Sequence, residues 1–224
     1  MTELLRRVYS EQGQSPWLDN LQRGYLTSGA LADLVKNGVR GLTSNPTIFQ
    51  KAIQGSNDYD SQFAEELAKG TTPLDAYWEM VISDINGAAD VFQGLYESSN
   101  GGDGFVSVEV DPRLAHDGSG TLSAARRLHE VVNRSNVMIK IPATQEGVPA
   151  IREMIAEGRN VNVTLIFSLS RYQDVMNAYI DGIEQRVESG LLPAGISSVA
   201  SFFISRVDNE IDKRLNALGT ADAL

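Results

Sequence analysis

The chain has 224 residues, of which 42% are hydrophobic and 21% charged, an ordinary globular composition with enough apolar side chains for one sizeable domain. Its net charge of −10 argues against general binding to nucleic acids or anionic membranes, although a local cluster of donors can still bind a phosphorylated substrate. The absence of cysteine excludes disulfides and thiolate metal sites, and His116 and His129 lack the spacing of paired metal ligands. The first residues lack the apolar core of a signal peptide and no run is long enough to span a membrane, so we expect a cytoplasmic protein.

In the first half of the chain, helical patterns surround two short extended segments. Ser28 and Gly38 suit the cap and the stop of one helix. Asn45-Pro46 suits the start of another, because asparagine favours the N-cap and proline the first helical position. The predicted elements are a helix over 1–15, an extended segment over 15–20, a helix over 26–37, a strand over 39–45, and helices over 58–69 and 73–99.

The second half of the chain alternates strands with helices after a glycine-rich breaker at 100–104. The predicted elements are a strand over 105–110, a helix from Ser119 or Thr121 to about 134, a strand over 136–142, a helix over 147–157, a strand over 160–167, a helix over 170–189, a strand over 196–204 and a helix over 207–218. This alternation predicts parallel strands joined by crossover helices, either in a doubly wound sheet or in a (β/α)8 TIM barrel.

Polar side chains occupy one face of each predicted strand, often near its carboxyl end. Ser107 shares a face with Glu109, and Asn162 with Thr164, because side chains alternate across a strand. A doubly wound sheet buries both faces under helices, so one polar face per strand favours the barrel, in which that face points to the axis. Barrel active sites lie at the carboxyl ends of the strands. The side chains expected to converge there are Lys140, Glu109, Asn45, Asn162, Thr164 and Ser201.

Lys140 stands in the middle of an apolar strand, between Ile139 and Ile141. Burial favours the neutral amine over the ammonium form, and a neutral amine can attack a carbonyl group to form a Schiff base. The alternative is a structural lysine whose stem packs in the core while its amine meets a carboxylate or solvent.

The chemistry of a Schiff base suggests roles for three further side chains. Glu109 can relay the protons that expel water from the carbinolamine, directly or through a water molecule. Asp19 is a candidate base for a substrate hydroxyl in retro-aldol cleavage, or else a turn-forming aspartate. Arg206 can bind a phosphate with the help of Ser201, or else is a solvated arginine at a helix start. The other polar residues also have structural interpretations: Asn45 as a helix cap, Asn162 and Thr164 as satisfied core groups, and Ser201 as a small filler.

Five segments together resemble the transaldolase family, and they occur in the order that the family has. Residues 41–49 (GLTSNPTIF) are similar to the signature of its second strand, and residues 137–144 (VMIKIPAT), followed by Glu146-Gly147, to the signature around its Schiff-base lysine. Further similar segments are 108–113 (VEVDPR), 162–168 (NVTLIFS) and 201–206 (SFFISR). The similarity extends from about Ser15 to Arg206.

The resemblance implies an enzyme of the pentose phosphate pathway that transfers a dihydroxyacetone unit. The donor would be a ketose phosphate (sedoheptulose 7-phosphate or fructose 6-phosphate) and the acceptor an aldose phosphate (glyceraldehyde 3-phosphate or erythrose 4-phosphate). It implies no metal or organic cofactor. The resemblance implies that Lys140 forms the Schiff base, that Glu109 relays protons through a water molecule held by Thr164, and that Asp19 is the acid/base at the cleaved bond. It further implies that Asn45 and Asn162 bind the dihydroxyacetone unit and that Thr43 also binds substrate. Ser201 and Arg206 would bind the phosphate group.

The sequence departs from the family in its number of strands, because the family barrel has eight and six are predicted here. We therefore expect residues 1–224 to form a single incomplete barrel domain with open sheet edges, and weak or no activity from this chain alone. The sequence leaves open whether the chain is a fragment of a longer protein, and whether it is a monomer or a homodimer. Two other functions also stay open: a class I aldolase acting on fructose 6-phosphate, and a sugar-phosphate-binding barrel without catalysis, against which the presence of both Glu109 and Lys140 argues.

Overall fold

The computed structural model describes residues 2–220 and is built around a parallel sheet of six strands. Each strand pairs with the next one along the chain, in the order β1 to β6. The strands are β1 (Trp17–Asp19), β2 (Gly41–Thr43), β3 (Val106–Glu109), β4 (Val137–Pro142), β5 (Val161–Ile166) and β6 (Ser198–Phe202).

Helices connect the strands and cover the outer face of the sheet. A short 3-10 turn, Pro112–Leu114, follows β3. The α-helices are α1 (Thr2–Gln12), α2 (Arg23–Thr27), α3 (Ala30–Lys36), α4 (Pro46–Gly55), α5 (Asp60–Ala68), α6 (Pro73–Ser98), α7 (Gly118–Val132), α8 (Gly147–Ala156), α9 (Leu169–Glu188) and α10 (Ile204–Leu218).

The strand order decides between the two predicted architectures. A doubly wound sheet reverses its order at a switch point, whereas here the spatial order follows the chain from β1 to β6 without reversal. The fold is therefore α/β and forms a partial TIM barrel of six strands, as predicted. The apolar face of each inner strand packs against the helices, and the valines of β3 and the isoleucines of β4 are fully buried there.

Several predicted helix boundaries were wrong, each for a local reason. The predicted helix over 26–37 is two helices, because Gly29 adopts a left-handed backbone with φ of +78°. Ser28 ends α2 instead of starting a helix, and its hydroxyl donates back to the carbonyl oxygen of Gly24 at 2.6 Å. The N-cap of α7 is Asp117, not Ser119 or Thr121, because its carboxylate accepts the backbone N–H of Gly120 at 2.9 Å.

A buried polar cluster fixes the segment that follows β1. Nε of Arg23 donates to one carboxylate oxygen of Asp84 at 2.8 Å, and the hydroxyl of Tyr59 donates to the other at 2.7 Å. The backbone N–H of Arg23 in turn donates to the Tyr59 hydroxyl at 2.9 Å. The cluster joins α2, the start of α5 and the middle of α6, so it anchors the chain just beyond Asp19.

The β6 side of the sheet exposes apolar side chains. Phe167 and Phe202 are about half exposed, and Leu169 is 86% exposed. Among the described residues, β6 pairs with β5 alone and β1 with β2 alone. The two predicted open edges are therefore present in this part of the chain.

Candidate active site

The polar faces of the strands meet in a pocket of about 380 Å³ at their carboxyl ends. This position is the one that barrel enzymes use for chemistry. Six of the nine predicted site residues line the pocket: Asp19, Asn45, Glu109, Lys140, Thr164 and Arg206.

Lys140 is a buried lysine with two polar neighbours. Its side chain comes from the middle of β4, and the whole residue is only 4% exposed. Its Nζ donates to the backbone carbonyl oxygen of Ser44 at 3.3 Å and lies 3.5 Å from Oε2 of Glu109. Glu109 is the register partner of Lys140 on β3, so regular strand pairing sets the two groups side by side. The amine thus faces the pocket beside a carboxyl group that can exchange protons with it.

The largely buried position of Glu109 suits its side chain to proton transfer. Burial raises the pKa of this carboxyl above its ordinary value, and this effect outweighs the opposite pull of the Lys140 ammonium group. Asp19 raises the pKa further and Arg206 lowers it. A carboxyl group with a raised pKa takes up and releases protons closer to neutral pH, which general acid–base catalysis favours.

We expect the stability of the wild type relative to Glu109→Gln to fall as the pH rises. Because the pKa of Glu109 is higher in the folded than in the unfolded chain, its stabilising effect is fully present below the unfolded pKa. It is lost as the pH rises through the raised folded pKa. Urea unfolding of both proteins, from acidic to neutral pH, measures this difference. A constant difference, or one that grows with pH, would contradict the assignment.

Asn162 lies beside Lys140 in the strand register but is held by protein groups rather than exposed to the pocket. Its Nδ2 donates to the hydroxyl of Ser107 at 3.0 Å, and its Oδ1 accepts the hydroxyl of Ser201 at 2.8 Å. Neither Asn162 nor Ser201 lines the pocket. The hydrogen bonds across β3, β5 and β6 therefore fix the amide next to the lysine, and the Ser201 hydroxyl is directed at Asn162.

Two threonine hydroxyls near the site are buried without a hydrogen-bond partner among the described residues. They belong to Thr43 on β2 and Thr164 on β5. A buried hydroxyl without a partner costs free energy, so each can take a hydrogen bond that the described residues do not supply. Thr164 lines the pocket, whereas Thr43 does not.

Three exposed or half-buried side chains complete the rim. Asp19 lies at the end of β1 and is exposed to the pocket. Asn45 is both a helix cap and a pocket residue, as the sequence predicted. Its Oδ1 accepts the backbone N–H of Ile48 at 3.0 Å as the N-cap of α4, and the residue lines the pocket. The guanidinium group of Arg206 stacks over the ring of Phe203, 4.1 Å from its centroid.

Sequence reasoning missed a second lysine in the pocket. Lys51 is exposed and lines the pocket from α4, three residues after Ile48, which also lines it. The signal was present, because Asn45-Pro46 marks a helix start and residues three apart share a helix face. Ser107, the partner of Asn162, was likewise visible on the polar face of β3 but was not assigned a role.

Other kinds of site have less support in the part of the chain that the structure describes. Within residues 2–220, no three histidine, aspartate or glutamate side chains come close enough to hold a metal ion. No helix in this range combines the length and the apolar character needed to cross a membrane.

Comparison with known proteins gives the family. The model of the family described as transaldolase/fructose-6-phosphate aldolase matches residues 16–223. The chain is 54% identical over 216 residues to Transaldolase 1 of Streptomyces coelicolor, covering 96% of this chain and 57% of that protein. It is 50% identical over 224 residues to Transaldolase 2 of the same organism, covering 100% of this chain and 60% of that protein. It is 54% identical to the transaldolase of Saccharopolyspora erythraea, covering 93% of this chain and 57% of that protein.

The chain spans less than two thirds of the length of these curated relatives. The match nevertheless runs through all six strands, including the strand of Lys140 and the strand of Glu109. This chain therefore belongs to the transaldolase/fructose-6-phosphate aldolase family.

Proposed function

We propose that this chain carries the catalytic machinery of a transaldolase. The observation that supports this most directly is the buried Lys140 amine, which faces a pocket beside a carboxyl group with a raised pKa. The curated relatives named transaldolase add support, since they are about half identical to this chain. The donor is a ketose phosphate, sedoheptulose 7-phosphate or fructose 6-phosphate. The acceptor is an aldose phosphate, glyceraldehyde 3-phosphate or erythrose 4-phosphate.

The first half-reaction forms a Schiff base between the ketose and Lys140 and then cleaves the C3–C4 bond of the bound sugar. Glu109 takes a proton from the Lys140 side chain, the amine then attacks the C2 carbonyl of the ketose to give a carbinolamine, and Glu109 returns the proton with which water leaves. Asp19 takes the proton of the C4 hydroxyl, and the C3–C4 bond breaks. Its electron pair passes into the iminium group to form an enamine on Lys140, while the aldose phosphate is released. The acceptor aldose then reacts with the enamine by the same steps in reverse.

The remaining site residues bind substrate or support the groups that bind it in this proposal. Arg206 carries a positive charge at the pocket rim and binds the phosphate group, with Ser201 close to it along β6 and the start of α10. Asn45 lines the pocket and donates from its amide nitrogen to the dihydroxyacetone unit. Asn162 lies next to Lys140 in the register of β4 and β5. Thr43 and Thr164 have unpartnered hydroxyls, and Thr164 holds the water that Glu109 uses.

We propose that residues 1–224 form a single incomplete barrel domain and that this chain alone has weak or no steady-state turnover. The exposed apolar side chains beside β6 support this, because a sheet edge of this kind lacks the cover that a closed barrel provides. The substrates are its only proposed partners, without nucleic acid or membrane. The cytoplasmic location stays a prediction, and monomer and homodimer stay alternatives.

A single-turnover experiment tests the function without requiring rapid cycling. Protein in stoichiometric amount is mixed with fructose 6-phosphate, and the glyceraldehyde 3-phosphate released is measured with a coupled dehydrogenase. We expect a burst of about one equivalent that stops without an acceptor and is followed by at most slow further release when erythrose 4-phosphate is added. Release that continues without an acceptor would instead identify an aldolase. No release at all would overturn the proposed activity of this chain.

The two lysines of the pocket provide matched variants for the same experiment. Lys140→Ala is expected to abolish the burst, because no other buried amine faces the Glu109 carboxyl within the described residues. Lys51→Ala removes an exposed amine from the same pocket and is expected to retain the burst. The reverse pattern would assign the Schiff base to Lys51.

A further inference from the structure

Strand β5 contains a bulge at the edge of the pocket. Along its pairing with β6, Val163 lies opposite Ala200, but the next pair is Ile166 with Phe202. Two residues of β5, Thr164 and Leu165, therefore stand opposite one residue of β6. Leu165 has φ of +61°, in the left-handed region.

The bulge changes which side chain reaches the pocket. In a regular strand side chains alternate between the two faces. Because Thr164 faces the pocket, Leu165 would then face the helices and Ile166 would face the pocket again. Here Leu165 is 38% exposed and lines the pocket directly beside Thr164. Ile166 is 1% exposed and packs in the main core. The bulge thus substitutes one apolar side chain for another at the pocket wall.

This backbone conformation is unfavourable for leucine. The left-handed region brings Cβ close to the following carbonyl oxygen, and glycine or asparagine adopts it far more readily. The Leu165 side chain does not compensate by filling the core, because more than a third of the residue is exposed. Bulges and strained residues of this kind cluster beside functional sites, where they direct a side chain towards a ligand.

We infer that Leu165 is a substrate-binding residue that packs against the carbon chain of the sugar held on Lys140. This inference rests on the proposed function. An open-chain sugar phosphate presents hydroxyls on some sides and C–H groups on others, and the pocket offers both kinds of partner. Thr164 and Asn45 present polar groups, whereas Leu165, Ile48 and Phe203 present apolar surface. Of the apolar residues that line the pocket, Leu165 is the one adjacent in sequence to Thr164, which lines the pocket with Lys140.

Three variants of Leu165 separate substrate contact from a structural role. Leu165→Ala and Leu165→Gly both remove the apolar surface, and Leu165→Met keeps it. For each protein, the adduct on Lys140 is trapped with borohydride over a range of fructose 6-phosphate concentrations, and the thermal midpoint is measured without ligand. Leu169→Ala removes an exposed leucine that lies outside the pocket and serves as the matched control.

We expect the half-saturating concentration to rise about tenfold in Leu165→Ala and Leu165→Gly, and to stay near the wild-type value in Leu165→Met and Leu169→Ala. We also expect Leu165→Gly to melt at a higher temperature than Leu165→Ala, opposite to the usual order of these residues, because only glycine relieves the left-handed backbone.

The outcomes distinguish the inference from the function on which it rests. If the wild type forms the adduct while Leu165→Ala and Leu165→Gly saturate as it does, the inference is overturned and the proposed function stands. If the wild type forms no adduct, the proposed function is overturned and the inference falls with it. If Leu165→Gly melts below Leu165→Ala, the strained bulge itself is refuted.

Discussion

Glu109→Gln is expected to slow the formation of the Schiff base on Lys140 by about 10²–10⁴-fold, the usual contribution of a positioned general acid–base group. The amide keeps the shape of the side chain and its place beside Lys140, but it can neither take up nor release a proton near neutral pH. The dehydration of the carbinolamine then depends on solvent alone. Quenching the reaction of protein and fructose 6-phosphate with borohydride at increasing times gives the rate.

The effect of Glu109→Gln is separable from a general loss of structure. Glu97→Gln makes the same chemical change at an exposed position on α6 and is expected to react at the wild-type rate. The folded state of both variants is checked by circular dichroism. An unchanged rate in Glu109→Gln would mean that another group, such as Asp19, moves the proton.

Asp84→Ala is expected to destabilise the fold by about 3–5 kcal/mol, because it leaves a largely buried arginine without its counter-ion. The Asp84 side chain is 1% exposed and that of Arg23 only 15%. Burial raises the pKa of Asp84 above its ordinary value, against the lowering effect of its two hydrogen bonds. The Tyr59 hydroxyl loses its acceptor in the same variant.

Urea unfolding of the wild type and Asp84→Ala measures this loss. The matched control is Asp33→Ala, which removes a carboxylate from the exposed Lys36–Asp33 pair and is expected to change stability little. Equal stability of Asp84→Ala and the wild type would show that the cluster does not anchor the segment after β1. The position of Asp19 would then not depend on this cluster.

The barrel and its central pair were predictable because they follow from strand periodicity. Val137, Ile139 and Ile141 alternate with Met138 and Lys140, and the alternation places the lysine on the polar face. Parallel pairing then brings Glu109 next to it. Such relations depend only on the regular pleat of neighbouring strands, so one sequence contains enough information to derive them.

Other parts of the site depend on contacts that periodicity does not encode. The sequence around Leu165 reads as a regular strand, with no glycine or proline to mark a bulge, so its position on the pocket wall was not predictable. The Ser201 hydroxyl is directed at Asn162 because β5 and β6 adjoin, a detail of register. The helix break at Gly29 did have a visible signal, which the helical pattern around it masked.

Borohydride trapping of the wild-type chain tests whether Lys140 is the residue that forms the Schiff base. The protein is incubated with fructose 6-phosphate, reduced, digested and examined by mass spectrometry. We expect a dihydroxyacetone-sized adduct on the peptide that contains Lys140, and none on the peptide that contains Lys51. An adduct on Lys51, or no adduct in a chain that circular dichroism shows to be folded, would contradict the assignment of the buried Lys140–Glu109 pair as the catalytic centre of this chain.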